Sequence, residues 1–320
     1  MQELKLWKFI LEHLEQNQSV TFLCVLESKG SSPGRQGFKM AVTNNEMVGS
    51  IGGGIMEHKF VELAKEKLTE SISESLIKKQ FHNKVADKNQ SGMICSGEQT
   101  IFLQQVRQDE IETIEKIINS LEQNQNGTLK ITASGISFSV TTVQENDFDF
   151  EVKSENDFVY YEKTGYKNHL YIIGGGHCAL ALSKLMSSMD FYINLYEERK
   201  NLNTFSKNKF AKECVEVDDY SSLKDLIVSG KSTYVVIMTF GYRTDDIALR
   251  ALIDKEFKYL GVLGSKTKIE KMFNELHTEG ITEEQLKKIH APIGIDIKSE
   301  TPEEIAISIA AEIIKVKNSY

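Results

Sequence analysis

The amino-acid sequence predicts an α/β protein of two domains: an N-terminal α/β domain with glycine-rich loops, over residues 1–165, and a C-terminal domain built on a parallel sheet, over residues 166–320. Three observations predict this. The chain has 320 residues, and at roughly 150 residues per domain that length favours two cores over one. The second half alternates short apolar runs with helical periodicity, the pattern of a parallel sheet covered by helices. Glycine clusters recur between these segments, three in the first half and one at a strand-to-helix junction in the second.

Taken in order, Leu4, Trp7, Phe9, Ile10, Leu11 and Leu14 recur at helical spacing, and polar Gln16-Asn17-Gln18 ends that helix. Val20 to Leu26 is a β-branched and apolar run, expected to be a buried strand. Phe38 to Thr43 and Met47 to Ile51 predict two short strands around the Asn44-Asn45 turn. A helix follows from about Ile55 to Leu68, a strand over Thr100 to Val106, and an amphipathic helix over Glu110 to Leu121. Residues 129–159 read as β-rich. In the second half, strands are expected at Leu170–Ile173, Tyr192–Tyr196, Tyr234–Thr239 and Tyr259–Leu263. Helices are expected at Cys178–Met186, Ser221–Val228 and Asp245–Ile253. Thr282 with Gln285, and Thr301 with Glu304 and Pro302, carry the capping-box pattern of helix starts. The last helix, to about Val316, is apolar nearly all round and is expected to be buried.

Charge and cysteine content exclude several classes. With 38 basic and 46 acidic residues the net charge is −8, and no basic run offers a footprint for nucleic acid. No window approaches the roughly 20 apolar residues of a membrane span, and Met1 to Leu14 lacks the apolar core of a signal peptide. The four cysteines, Cys24, Cys95, Cys178 and Cys214, form no close pair. Reduced thiols and a cytoplasmic location are expected.

The most explicit motif is Gly174-Gly175-Gly176-His177-Cys178-Ala179, directly after the apolar run Leu170 to Ile173. In this Gly-x-Gly-x-x-Ala form Gly174 permits a tight turn, Gly176 admits a pyrophosphate near the backbone, and Ala179 allows close helix packing. Glu197, 23 positions beyond Gly174 at the end of the next strand, suits a ribose hydroxyl. The domain is therefore Rossmann-like, with NAD(P) or another nucleotide as the expected occupant. Glu197 favours the unphosphorylated dinucleotide, while Arg199 leaves the other choice open. His177 is a candidate contact to phosphate or substrate, and Cys178 reads as a packing residue.

The N-terminal clusters are three loops. The first, Lys29 to Gly37, combines Ser31, Ser32 and Arg35, hydroxyls and a fixed cation suited to an anion. The second places Gly52-Gly53-Gly54 before a helix, with Glu57 on its first turn either capping backbone N–H groups or facing a ligand. The third, Ser91 to Glu98, sets the Cys95 thiol among small residues. A thiolate there could ligate a soft metal or receive sulfur.

Taken with Thr239 to Asp245, Gly261-Val262-Leu263-Gly264-Ser265-Lys266 and the long run His290 to Ile297 continuing into Glu300 to Ala306, these stretches resemble the XdhC/CoxI family over nearly the whole chain. The family's members are accessory proteins that mature molybdenum hydroxylases such as xanthine dehydrogenase. The resemblance implies a protein that binds molybdenum cofactor, supports its sulfuration with a cysteine desulfurase-type donor, and delivers it to the apo-hydroxylase. Ser31, Ser32, Arg35, Gly52, Gly53, Gly54, Glu57, Cys95, Gly174, Gly176, His177, Glu197 and Asp245 are the implied cofactor-binding positions, with Cys95 the candidate metal ligand. Three positions depart from the family pattern: Ile55 stands where many members have cysteine, Cys95-Ser96-Gly97 replaces Cys-Gly-Gly, and Tyr242 replaces a histidine. Two other readings stay open. One is an NAD(P)-dependent oxidoreductase using His177, Tyr242 or Asp245 as acid or base; the other is a non-catalytic nucleotide-sensing module. A homodimer is expected.

Overall fold

The computed structural model describes residues 1–70, 75–81, 97–141 and 146–319, which divide into two compact units, Met1–Gly165 and Tyr166–Tyr320. Unit 1 runs α1 (Gln2–Glu15), β1 (Thr21–Lys29), β2 (Lys39–Val42), β3 (Met47–Gly49), α2 (Gly54–Glu70), β4 (Leu76–Phe81) and β5 (Glu98–Gln105). A 3-10 turn at Gln108–Glu110 then leads into α3 (Ile111–Glu122), β6 (Thr128–Thr132), β7 (Gly135–Ser139), β8 (Phe148–Ser154) and β9 (Asp157–Lys163). Five of the strands form an antiparallel sheet in the order β3-β2-β1-β5-β4, and four form a second sheet, β7-β6-β9-β8.

β1 shows why the unit has two cores. Its side chains alternate across the sheet, so Phe22, Cys24 and Leu26 enter one cluster and Leu23 and Val25 another. The first cluster joins Trp7 and Ile10 of α1, Ile114 and Ile117 of α3, and Leu129, Phe158 and Tyr160 of the second sheet. The other seats Met56, Phe60 and Ala64 of α2. A strand covered on both faces needs a nearly continuous apolar run, and Val20 to Leu26 supplies one interrupted at Thr21, whose hydroxyl donates to the Ala64 carbonyl at 3.3 Å. Each fully buried large side chain contributes about 1.5–3 kcal/mol to that arrangement.

Unit 2 runs β10 (Asn168–Ile173), α4 (His177–Ser187), β11 (Phe191–Glu197), α5 (Asn203–Ser206), β12 (Glu213–Glu216), α6 (Leu223–Leu226) and β13 (Gly230–Ile237). It continues with α7 (Tyr242–Leu252), β14 (Phe257–Val262), α8 (Lys266–Thr278), α9 (Glu283–Leu286) and α10 (Pro302–Asn318). The five strands are all parallel, in the order β12-β11-β10-β13-β14. Leu170, Ile172, Ile193, Leu195 and Val236 pack under α4 and α10 on one face. Ile173, Val235, Ile237 and Val262 pack under α7 and α8 on the other. This is the expected doubly wound Rossmann-like sheet. Strand order reverses between β10 and β13, and ligands of such sheets bind at the carboxyl ends of the strands beside that reversal.

Several expectations are corrected. The helix expected over Ser221–Val228 is a 3-10 turn, Tyr220–Ser222, followed by the single turn of α6, and the Thr282 capping box opens only the single turn of α9. β4 and β12 escape the apolar pattern because Leu-Ile-Lys-Lys-Gln-Phe and Glu-Cys-Val-Glu are edge strands with polar faces. The last helix is not buried all round. Ala306, Ile309, Ala310 and Ile313 face the core while Ile307 is 53% exposed, because a helix lying on a sheet needs only one apolar stripe. Among the described residues no helix is long and apolar enough to cross a membrane.

Candidate functional site

In unit 1 the glycine loops are joined backbone to backbone. The first spans β1 to β2 and the second spans β3 to α2. A Cβ added to Gly34 would lie 1.9 Å from the Ile51 carbonyl oxygen, and one on Gly52 would lie 2.4 Å from the Gly34 nitrogen. Only glycine permits that approach. Gly97, which leads from the third loop into β5, meets the first in the same way: a Cβ there would sit 2.6 Å from the Ser31 carbonyl and the Ser32 nitrogen. Gln99 clamps the assembly. Its buried Nε2 donates to the Gly34 carbonyl at 3.0 Å and to the Ile51 carbonyl at 3.3 Å. From below, Lys39 donates to the Gly37 carbonyl at 3.2 Å and pairs with buried Glu162 at 2.7 Å. Burial opposes a charged lysine, but Glu162 and Glu3 overcome it and hold Lys39 protonated.

The predicted residues of these loops divide into two sets. Glu57 is committed inward: one carboxylate oxygen accepts from Ser50 Oγ at 2.6 Å, from the Ile51 N–H at 2.9 Å and from the Gly53 N–H at 2.9 Å. Burial works to raise its pKa, and these donors outweigh burial and lower it. The capping reading of Glu57 therefore holds. The Gly52 N–H goes to Ser50 Oγ, so the amides of the second loop are largely satisfied within it. Ser32 is also turned inward, donating to the Gly34 carbonyl at 3.0 Å. Ser31 and Arg35 are exposed, and Arg35 donates to the Gly30 carbonyl at 3.0 Å with one nitrogen. Gly53 and Gly54 have φ of +76° and +69°, and a Cβ on Gly53 would meet nothing within 4 Å. Cys95 lies outside the described residues.

Unit 2 closes its glycine turn with the same device. Gly174, at φ +104°, packs so tightly on the residues just past β13 that a Cβ would lie 2.4 Å from the Met238 carbonyl oxygen. The Gly175 N–H donates to Glu197 at 2.6 Å. Glu197 is fully buried, and its oxygens also take the Arg199 guanidinium at 2.8 and 2.9 Å, the Arg199 N–H and the Tyr220 hydroxyl. Burial would raise its pKa, but Arg199 and these N–H groups lower it. Glu197 thus holds the turn together instead of presenting a carboxylate to a ribose. Gly176 has open space where a Cβ would be, and His177 is exposed on the first turn of α4.

Asp245 is buried as well. It accepts from the Thr239 N–H at 2.9 Å and the Thr239 hydroxyl at 2.7 Å, and it pairs with Lys268. Tyr242 donates to Glu275, and its own proton is held up at about 12 by burial and then by that carboxylate. The acid–base candidates of the oxidoreductase reading are therefore occupied, His177 excepted. The run His290 to Ile297 serves α10. Glu312 accepts from the Gly294 N–H at 2.8 Å and the Tyr259 hydroxyl at 2.5 Å, and pairs with His290 at 3.4 Å.

Gln99, Lys39 and Glu162 escaped sequence reasoning. The one available signal was Gln99, a polar residue immediately after a glycine loop and before an apolar run. Among the described residues no three His, Cys, Asp or Glu side chains gather as metal ligands.

Comparison with known proteins agrees with both units. The model of the XdhC Rossmann domain matches residues 170–313, and that of the XdhC and CoxI family matches residues 13–77. The Escherichia coli (strain K12) protein YqeB is 24% identical over 310 residues, and the match covers 95% of this chain but 45% of that protein. A Bacillus subtilis (strain 168) protein described as a probable xanthine dehydrogenase subunit is 21% identical, with 95% of both chains covered. A crystal structure described as a xanthine dehydrogenase from Bacillus halodurans shares the fold at TM-score 0.72 and 20% identity, covering 99% of this chain and 96% of that one. The chain belongs to the XdhC family.

Proposed function

We propose that the chain is an accessory protein of a xanthine dehydrogenase-type molybdenum hydroxylase. It holds molybdenum cofactor as cargo on the loops of unit 1, supports its sulfuration by a cysteine desulfurase-type donor, and delivers it to the apo-enzyme. The observation that carries this reading is the joining of the first two glycine loops with Gly97, at approaches only glycine allows, with Arg35 and Ser31 left exposed beside them. The cargo bears a phosphate and metal-bound oxo groups, which suit a guanidinium, a hydroxyl and a shape open over Gly53. Glu57 turns its carboxylate into its own loop, where Ser50, Ile51 and Gly53 donate to one of its oxygens. The descriptions of the two Bacillus relatives as xanthine dehydrogenase proteins point to the hydroxylase as client.

The test is co-elution. Purified chain incubated with molybdenum cofactor is passed over a gel-filtration column, and molybdenum and pterin are measured in the protein peak. The wild type is expected to retain the cofactor. Arg35→Ala is expected to bind about tenfold more weakly, the worth of a charge-assisted hydrogen bond. Wild-type protein that elutes free of molybdenum and pterin would refute the reading.

A further inference from the structure

At the carboxyl end of its sheet, unit 2 keeps an aromatic ring in water. Phe240 lies just past β13 and is 63% exposed. It belongs to none of the hydrophobic clusters of the molecule. Arg199 lies over it, with its guanidinium carbon 5.0 Å from the ring centroid. These residues follow β13 and β11, the two neighbours of β10, and strands so placed are about 10 Å apart. Their contact therefore spans the end of β10, where Gly174 to Gly176 turn into α4.

Arg199 works on two sides. Nε and Nη2 hold Glu197 at 2.9 and 2.8 Å, and Nη1 has no partner among the described residues. With Glu197 consumed and fully buried, it offers no carboxylate to a ribose diol; what Arg199 leaves open is Nη1, with Glu198, Asp219 and Arg243 as the charged groups around it. In dinucleotide-binding sheets an acid at this strand end reads the ribose 2′-hydroxyl, whereas an arginine accommodates a 2′-phosphate. The unphosphorylated choice expected from Glu197 rests on a carboxylate that is already committed to Gly175 and Arg199. A guanidinium facing an aromatic ring is also a ready slot for a purine, since each stacks on a flat heterocycle. The present separation is a direct contact, so an entering base must part the two by about 2 Å to reach stacking distance on both faces. Phe240, exposed and outside the core, is free to give way.

We propose that unit 2 binds an adenine dinucleotide carrying a 2′-phosphate, NADP(H) and not NAD(H), with the adenine entering between the Arg199 guanidinium and the Phe240 ring. Glu198 lies near both Asp219 and Arg243, so the 2′-phosphate meets charges of both signs, and a preference of about tenfold for the phosphorylated form is expected. This site is built from residues of unit 2 alone.

The experiment is a fluorescence titration of the full chain with NADPH and, in parallel, with NADH. Adenosine 2′,5′-bisphosphate and 5′-AMP serve as competitors. NADPH is expected to saturate at about tenfold lower concentration than NADH, and the bisphosphate to displace it at least tenfold better than 5′-AMP. Phe240→Ala is expected to weaken NADPH about tenfold with an unchanged melting temperature, and Phe240→Tyr to restore binding. Equal affinity for NADPH and NADH, undiminished affinity in Phe240→Ala, or absence of saturable binding would each overturn the proposal. The titration reads residues of unit 2 and the co-elution reads residues of unit 1, so this site and the molybdenum-cofactor reading can fail separately.

Discussion

In unit 1 the glycine turn before α2 closes on Glu57, a half-buried carboxylate with no cation beside it among the described residues. In unit 2 the turn before α4 closes on Glu197, which is fully buried and neutralised by Arg199. Both turns have the glycine spacing and helix start that suit an external anion. In both, a carboxylate of the chain itself has taken part of that role. Where the internal anion keeps some water, it needs only N–H and O–H donors. Where it is sealed from water, a guanidinium must accompany it, because an unpaired buried charge is too costly to keep. The consequence is a different surface in each unit: an exposed Arg35 in the first, and an Arg199 turned toward Phe240 in the second.

That contrast can be broken by substitution. Glu197→Gln keeps the shape but removes the charge that Arg199, Gly175 and Tyr220 bind, and is expected to destabilise the protein by about 3 kcal/mol in denaturant unfolding, the upper end for hydrogen bonds to a charged group. Glu57→Gln removes charge from a site without a cation, and about 1 kcal/mol is expected. Equal losses in the two variants would show that burial of the carboxylate does not distinguish the turns.

Smaller than the first effect is the cost of backbone crowding within unit 1. Gly52→Ala combines a φ of +130° with a contact 2.4 Å from the Gly34 nitrogen, and should cost about 2 kcal/mol while loosening the first loop. Gly53→Ala has the strained φ but open space, so about 1 kcal/mol is expected. If the two substitutions cost the same by thermal unfolding, the loops are not held by their mutual approach.

The gentlest perturbation is pH. Glu312 titrates near 2 instead of 4.5: burial pushes upward, but the bonds from His290, Tyr259 and Gly294 prevail. Glu57 and Glu197 are shifted in the same direction. A carboxylate held low in the folded state contributes fully above its unfolded value and loses that contribution as pH falls through the folded one. Melting temperature should therefore be flat near neutrality and fall between pH 4.5 and about 2. Glu312→Gln should flatten that fall in calorimetric scans; an unchanged acid limb would remove Glu312 as a contributor.

Much of the scaffold was legible. Val20 to Leu26 and the four apolar runs of the second half are strands, because a strand buried on both faces has to be largely apolar along its length. The capping box at Thr301 opens α10. The edge strands β4 and β12 were not legible, since one solvated side erases the pattern. The site was legible only by kind of residue. Ser31, Ser32 and Arg35 look alike as anion ligands in sequence, yet Ser32 faces inward and the other two outward. Gln99 reaches Gly34 across 65 positions and Lys39 reaches Glu162 across 123, separations that no local pattern encodes.

By itself, the sequence determined where the chain turns and which segments must be buried, since glycine geometry and apolar periodicity act over a few residues. Only the tertiary structure decided which donors remain for a ligand. Hydrogen bonds at the turns are finite in number, and the carboxylates of Glu57, Glu197, Asp245 and Glu312 reach them first.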